Sequence, residues 1–261
     1  MKDWIRIFGI LLLACMFAVA CTEDDLASLT NVGDKEVRVA LPFGSKEHEE
    51  VRVTTRGTYD LHCESMVRNM YVFLFADGKK VYGRYFDADD LDQTRNKEYW
   101  EVNNMSSEGV SAQTNGTLHL CVPTVSGGGA EIVLVANIDL DFMNMSEDRL
   151  GLVRSREELN ALLVSLNQDL PERNAGYFMM TGSRTGVSIH EDGTISVAGG
   201  KIMLERLDAK VQVNVRVNPT EESKNQRVEA FTPESWQVMN LPKSCLLMPS
   251  QNGAEPSEDA F

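Results

Sequence analysis

The sequence is poor in the residues that most often carry chemistry. Four histidines, His48, His62, His119 and His190, are all it has among 261 residues. His119 and Cys121 stand two apart on one strand face and His62 neighbours Cys63, but the tight paired spacing of a zinc ribbon is missing. No serine lies in a nucleophile-elbow pattern. "SGGGAE" has three glycines but neither a Lys-Ser/Thr sequel nor a following helix, which excludes a phosphate loop. "IHEDG" offers one histidine where a zinc protease needs two, and it sits on a hairpin turn. "DADDLDQTRNKE" (87–98) has carboxylates at the first, third and last positions of a calcium loop. Leu91 nevertheless holds a ligand position, and Asp92 stands where the sharp turn requires glycine. The chain therefore reads as a non-enzyme with no metal site and no cofactor.

Basic residues are also few. Twenty-five Lys and Arg face 39 Asp and Glu, for a net charge of −14. Nucleic acid, whose phosphates demand cations on the contact face, is excluded as a partner. Long apolar runs are lacking too. The stretch from Ile7 to Ala20 falls short of the roughly 20 residues of a membrane-spanning helix. With Lys2 and Arg6 before it and Ala18 and Ala20 at its end, it reads as a secretory signal over residues 1–20. "AVAC" then reads as a lipobox with Cys21 as the lipidated residue. "LLAC" before Cys15 competes, but would leave a very short apolar core and a greasy mature terminus. Several acyl chains on one cysteine hold stably where a single chain does not. An acidic linker, 21–34, follows; "TEDD" directly after the cysteine resembles the surface-export signal of Bacteroidetes lipoproteins. Once Cys15 leaves with the signal, Cys63, Cys121 and Cys245 remain, an odd set without a disulfide framework.

What is present is period-two alternation. "KEVRVALPF" puts Val37, Val39, Leu41 and Phe43 on one face. "VRVTT" continues from Val51. "MVRNMYVFLFADGKKVYGRYF" reads as two strands around an Asp77-Gly78 turn, and "VSIHEDGTISV" as a hairpin turning at Asp192-Gly193. "TLHLCVP" alternates through Leu118, Leu120 and Val122. "AEIVLVANI" is continuously apolar, as expected of a strand covered on both faces. "LERLDAKVQVNVRV" alternates from Leu207 to Val217. "VSGGGAE" and "PTEESKNQR" read as polar loops.

One helix is predicted in "SREELNALLVSLN". Ser155 and Glu158 form a capping box, Leu159, Leu162, Leu163 and Leu166 recur at helical spacing, and Pro171 ends the pattern. The fold class is mainly β, a sandwich with one packed helix. An N-terminal sandwich is expected over 35–200 and a partial β-domain over 201–250. The acidic tail 251–261 has little pattern and is expected to be disordered.

Several segments resemble the fimbrillin superfamily of Bacteroidales. "VRNMYVFLFADGKKV" is similar to its early core strand and turn. "IVLVANI" is similar to its central strand, which ends in an Ala-Asn pair, here Ala136 and Asn137. "YFMMTG" resembles a segment before the domain junction, and "GKIMLERLDAKVQVNV" resembles the junction strand through Leu204, Arg206, Ala209, Lys210 and Val211. "WQVMNLP" (236–242) resembles a further segment of a fimbrillin-like subgroup.

The resemblance implies two transthyretin-like sandwiches, lipoprotein export to the outer membrane and cell surface, and removal of an N-terminal strand by a protease. Assembly with other fimbrial subunits by donor-strand exchange follows. The removable strand would lie within 35–56, with Val37, Val39, Leu41 and Phe43 filling the groove. Processing would fall between Arg56 and Gly57 in "VTTRGT", since Arg38 and Arg52 lie inside strand patterns. About sixty residues follow Lys201, fewer than the roughly 100 of a full sandwich. The second sandwich is therefore expected to be incomplete or truncated. The alternative function is a glycan-binding surface lipoprotein. Its aromatic platform would be Trp100 with Tyr99, Trp236 being assigned to the core.

Overall fold

A computed structural model of the chain describes residues 29, 31–45, 66–107, 110–138, 149–165, 177–207 and 244–248. The chain is mainly β. Strand β1 spans Val32–Ser45, β2 Met70–Ala76, β3 Lys79–Phe86, β4 Tyr99–Ser107 and β5 Val110–Ala136. Helix α1 (Arg156–Asn160) and β6 (Leu163–Ser165) follow. Then come β7 (Met180–Ile189), β8 (Ile195–Ser196), β9 (Ile202–Arg206) and β10 (Ser244–Leu246).

The 27-residue β5 organises the sheet. Its first half pairs with β4 (Tyr99 opposite His119) and with β1 (Val37 opposite Val122). Its second half, Ala130–Ala136, pairs with β2 on one edge and β7 on the other. Between the halves Gly127 and Gly128 take φ of 72° and 68°, and the register breaks between Val125 and Ala130. Positive φ is open to glycine at no steric cost, so the strand turns there without ending. "VSGGGAE", expected to be a loop, is therefore a bend inside one strand. Strand β9 closes the circuit, running parallel to β1 at Phe43–Ser45 and antiparallel to β7 at Met180–Thr181.

Two layers result, β4–β5–β1 and β3–β2–β5–β7, with the main core between them. Val37, Val39, Leu41, Phe43, Leu118 and Leu120 from one layer meet Val72, Leu74, Ile132 and Leu134 from the other. The alternate residues Tyr71, Phe73, Phe75, Val133 and Val135 form a second cluster with Leu150, Val153, Leu159 and Leu247. "AEIVLVANI" is thus covered on both faces, as its apolar run predicts.

The hairpins follow their turn residues. Asp77 and Gly78 have φ of 48° and 78°, the two positive values that a tight type I′ hairpin demands, and Ala76 pairs with Lys79. In the second hairpin Ile189 pairs with Ile195, and Thr194 N donates to Asp192 Oδ1 at 2.8 Å.

The helix is shorter than its leucines suggest. Ser155 Oγ caps it by accepting from Glu158 N at 3.1 Å. The reciprocal arm shifts by one residue, with Arg154 N donating to Glu158 Oε2 at 2.7 Å. Leu159 is buried, but Leu163 is 49% exposed and opens β6, which pairs with β10 through Val164 opposite Cys245. Strand pairing with a distant segment overrides the helical pattern. Ile202–Arg206, assigned to the second unit, lies in the same sheet as β1 and β7; residues 208–243 lie outside the described residues.

Candidate functional site: the seat of the first strand

The alternation in "VRVALPF" predicts a strand with one apolar face, and the structure seats that face in the main core. Val37, Val39, Leu41 and Phe43 are 7%, 3%, 0% and 1% exposed, while Lys35, Glu36, Arg38 and Ala40 face outward. Burying such side chains contributes roughly 1.5–3 kcal/mol each, or roughly 6–12 kcal/mol for the four. That is comparable with the whole stability of an ordinary domain, about 5–15 kcal/mol.

Among the described residues the backbone of β1 is paired on both edges at its C-terminal end and on one edge before it. One edge pairs with β5 from Glu36 (opposite Pro123) to Gly44 (opposite Asn115). Among the described residues the other edge pairs with β9 at Phe43, Gly44 and Ser45. The C-terminal end is further fixed where Thr114 N donates to the buried Ser45 Oγ at 2.9 Å. In its N-terminal half the turn after β7 packs on the backbone at Arg38. Gly193 has φ of 84°, and a Cβ there would lie 2.5 Å from the Arg38 carbonyl oxygen.

The seat has a distinct shape at each position. Around Val39 a small apolar void is lined by Val72, Leu74, Leu120, Val122 and Ile132. Phe43 stacks on Trp100 with ring centroids 6.5 Å apart and planes 20° apart. Gly116 lies directly across from Phe43. A Cβ on Gly116 would come within 2.4 Å of both the Phe43 ring and the Glu101 carbonyl oxygen. The hydrogen atom at that position is what admits the ring.

A polar strap fixes the layer that contains Trp100. The indole Nε1 donates to Asp87 O at 2.7 Å. Arg84 donates to Glu98 Oε2 at 2.5 Å and to Asp90 Oδ1 at 2.6 Å. Glu98 Oε1 accepts from Tyr82 Oη at 2.9 Å and from Cys121 N at 2.7 Å. Burial, reinforced by the Glu98 carboxylate, pushes the Tyr82 phenol well above its ordinary value. Three aspartates of the acidic loop also bond within the chain. Asp87 and Asp90 cap a 3-10 turn at Ala88–Leu91, and Asp92 accepts from the Thr94 amide and hydroxyl.

A second polar device joins the strand ends. Asn137, fully buried with φ of 56°, donates from Nδ2 to Met66 O at 2.7 Å and to Phe178 O at 2.8 Å. Its Oδ1 accepts from Arg68 N at 3.0 Å. Asn69 meets the next residue, accepting from Ile138 N at 2.6 Å and donating to Ile138 O at 3.2 Å. One asparagine thus ties the end of β5 to the lead-ins of β2 and β7.

The glycan-platform reading is corrected here. Trp100 is 1% exposed and built into the core beneath Phe43, so it offers no face to a sugar. Tyr99 stacks on His119 at 4.2 Å, and His119 Nε2 approaches Glu101 Oε1 at 3.5 Å. Cys121 is a buried free thiol. Among the described residues no cluster of His, Cys, Asp and Glu is arranged to hold a metal ion. Cys21, Arg56, Gly57, His48, His62, Cys63 and Trp236 lie outside the described residues. Gly116, Glu98 and Asn137 carry no prior signal of their roles, except that Asn137 closes an apolar run where a chain reversal is needed.

No family model and no curated protein matches the chain. Solved structures do resemble part of it. One is a fimbrial assembly protein from Parabacteroides distasonis, 16% identical with a TM-score of 0.40 over 66% of this chain and 52% of that one. Another is a fimbrilin from Porphyromonas gingivalis, 17% identical with a TM-score of 0.34 over 65% of this chain and 39% of that one. The chain therefore spans about half the length of the first of these Bacteroidales fimbrial structures and less of the second.

Proposed function

We propose that this protein is a fimbrial subunit, structural or at the tip or accessory, displayed on the bacterial surface and supporting adhesion through fibre assembly. Cys21 carries the lipid that holds the precursor at the outer membrane. A protease cuts between Arg56 and Gly57, which stand in the sequence after β1 and before β2. The released β1 leaves an apolar groove, and a strand from another subunit takes its place.

The observation that supports this reading most is the seat of β1. A groove lined by Leu118, Leu120, Val122 and Ile132 and bordered by the β5 edge has two needs at once. Its side chains require apolar cover, and its backbone N–H and C=O groups require partners. An added β-strand satisfies both. The roughly 6–12 kcal/mol of side-chain burial estimated above makes an empty groove unstable and its refilling strongly favoured.

The experiment is direct. An arginine-specific protease added to the acylated precursor should release a fragment ending at Arg56 and convert the remaining chain into ladders on gels. A chain that stays intact and monomeric refutes the assembly reading. Cys21→Ala should abolish acyl labelling; labelling that persists moves the lipid to another residue.

A further inference from the structure

We infer that the seat of β1 recognises its occupant by one aromatic side chain, at the position of Phe43, which Gly116 admits and Trp100 stacks against. The inference rests on the strand-exchange reading and names the chemistry of the partner strand.

The geometry is restrictive at that point. Gly116 has no room for a Cβ, because the Glu101 carbonyl oxygen of β4 and the Phe43 ring both lie 2.4 Å from where it would stand. The Phe43 ring therefore lies over bare backbone, with the indole of Trp100 as its wall. That wall is fixed, since its Nε1 is bonded to Asp87 O. The next position is narrow as well. A Cβ on Gly44 would meet Asn115 Oδ1 at 3.0 Å, Thr114 O at 3.2 Å and Lys201 Nζ at 3.3 Å.

Direction and register follow. An occupant must run antiparallel to β5 and parallel to β9, as β1 does. A slip of one residue turns the apolar set outward. A slip of two brings an aliphatic side chain over Gly116 and leaves the ring without its cleft. The partner is therefore an extended segment with two small β-branched residues, a leucine-like residue and an aromatic at alternate positions. A glycine or other very small residue follows the aromatic.

Two experiments test this. In the uncut full chain, Phe43→Ala, Gly116→Val and the double variant are compared by thermal unfolding. Each single change should lower the midpoint, and the double variant should lose less than the sum, because both act on one contact. Additive losses overturn the aromatic cleft whatever the fate of the exchange reading. In the second, the full chain cut at Arg56 is incubated with a labelled peptide of the Val32–Ser45 sequence, or with that peptide carrying Phe43→Ala. Uptake is followed by size-exclusion chromatography. The native peptide should be taken up, and the Phe43→Ala peptide should bind about 100-fold more weakly or worse. Equal uptake overturns the recognition by the aromatic while leaving strand exchange in place. Retention of the original leader against both peptides overturns the inference and the exchange reading together.

Discussion

Replacing Asn137 separates two effects that the structure superimposes on one residue. Among the described residues its side chain makes three hydrogen bonds to backbone groups from two distant segments, and its backbone sits at φ of 56°. Asn137→Gly keeps the backbone comfortable and deletes the side chain. At about 1 kcal/mol for each hydrogen bond lost, it should cost about 3 kcal/mol. Asn137→Ala deletes the same bonds but keeps a Cβ in the left-handed region without asparagine's local hydrogen bonding, so it should cost about 1 kcal/mol more than the glycine variant. In a chain of this size each kcal/mol moves the thermal midpoint by roughly 2–4 °C, so the glycine variant should melt roughly 6–12 °C early and the alanine variant lower still. Circular dichroism of the purified mature chain measures both. A glycine variant within a degree or two of the native protein would refute the clamp. An alanine variant more stable than the glycine variant would refute the backbone argument.

Further outcomes follow from particular contacts. Leu159→Ala should cost about 2–5 kcal/mol because Leu159 is fully buried, whereas Leu163→Ala at an exposed position should stay within about 0.5 kcal/mol; similar losses at both would restore the longer helix. Gly128→Ala should destabilise by about 1–2 kcal/mol through its φ of 68°, read by urea denaturation, and no loss would mean the bend in β5 does not depend on glycine. The Tyr82 phenol is held protonated by burial first and by Glu98 second. Its stabilising contribution is therefore full below the ordinary tyrosine value of about 10 and is lost as pH rises toward the raised folded value. Tyr82→Phe should accordingly flatten the alkaline fall in stability, and an unchanged fall in pH-dependent melting would count against the buried phenol.

Local patterns were readable because their causes are local. Asp77-Gly78 and Asp192-Gly193 supply their own turn geometry, and alternation in β1 and the first half of β5 is enforced by the strand's period of two. The apolar run of β5 likewise announces burial on both faces. Where distant chain segments compete, the local reading fails. Leu163 follows the leucine spacing of a helix, yet β10, some eighty residues on, draws it into a strand. The three glycines in "VSGGGAE" look like a loop, but pairing on both sides carries the strand through them.

The candidate site divides in the same way. The sequence alone determined that Val37, Val39, Leu41 and Phe43 share a face, because side chains on a strand alternate regardless of context. Only the tertiary structure decided what that face meets: Gly116 and Trp100 reach Phe43 from β5 and β4, which are remote in the chain. It also removed Trp100 from the surface. An indole's preference for burial or exposure depends on whether other strands supply a cover and a partner for its N–H, and here β1 and Asp87 do both.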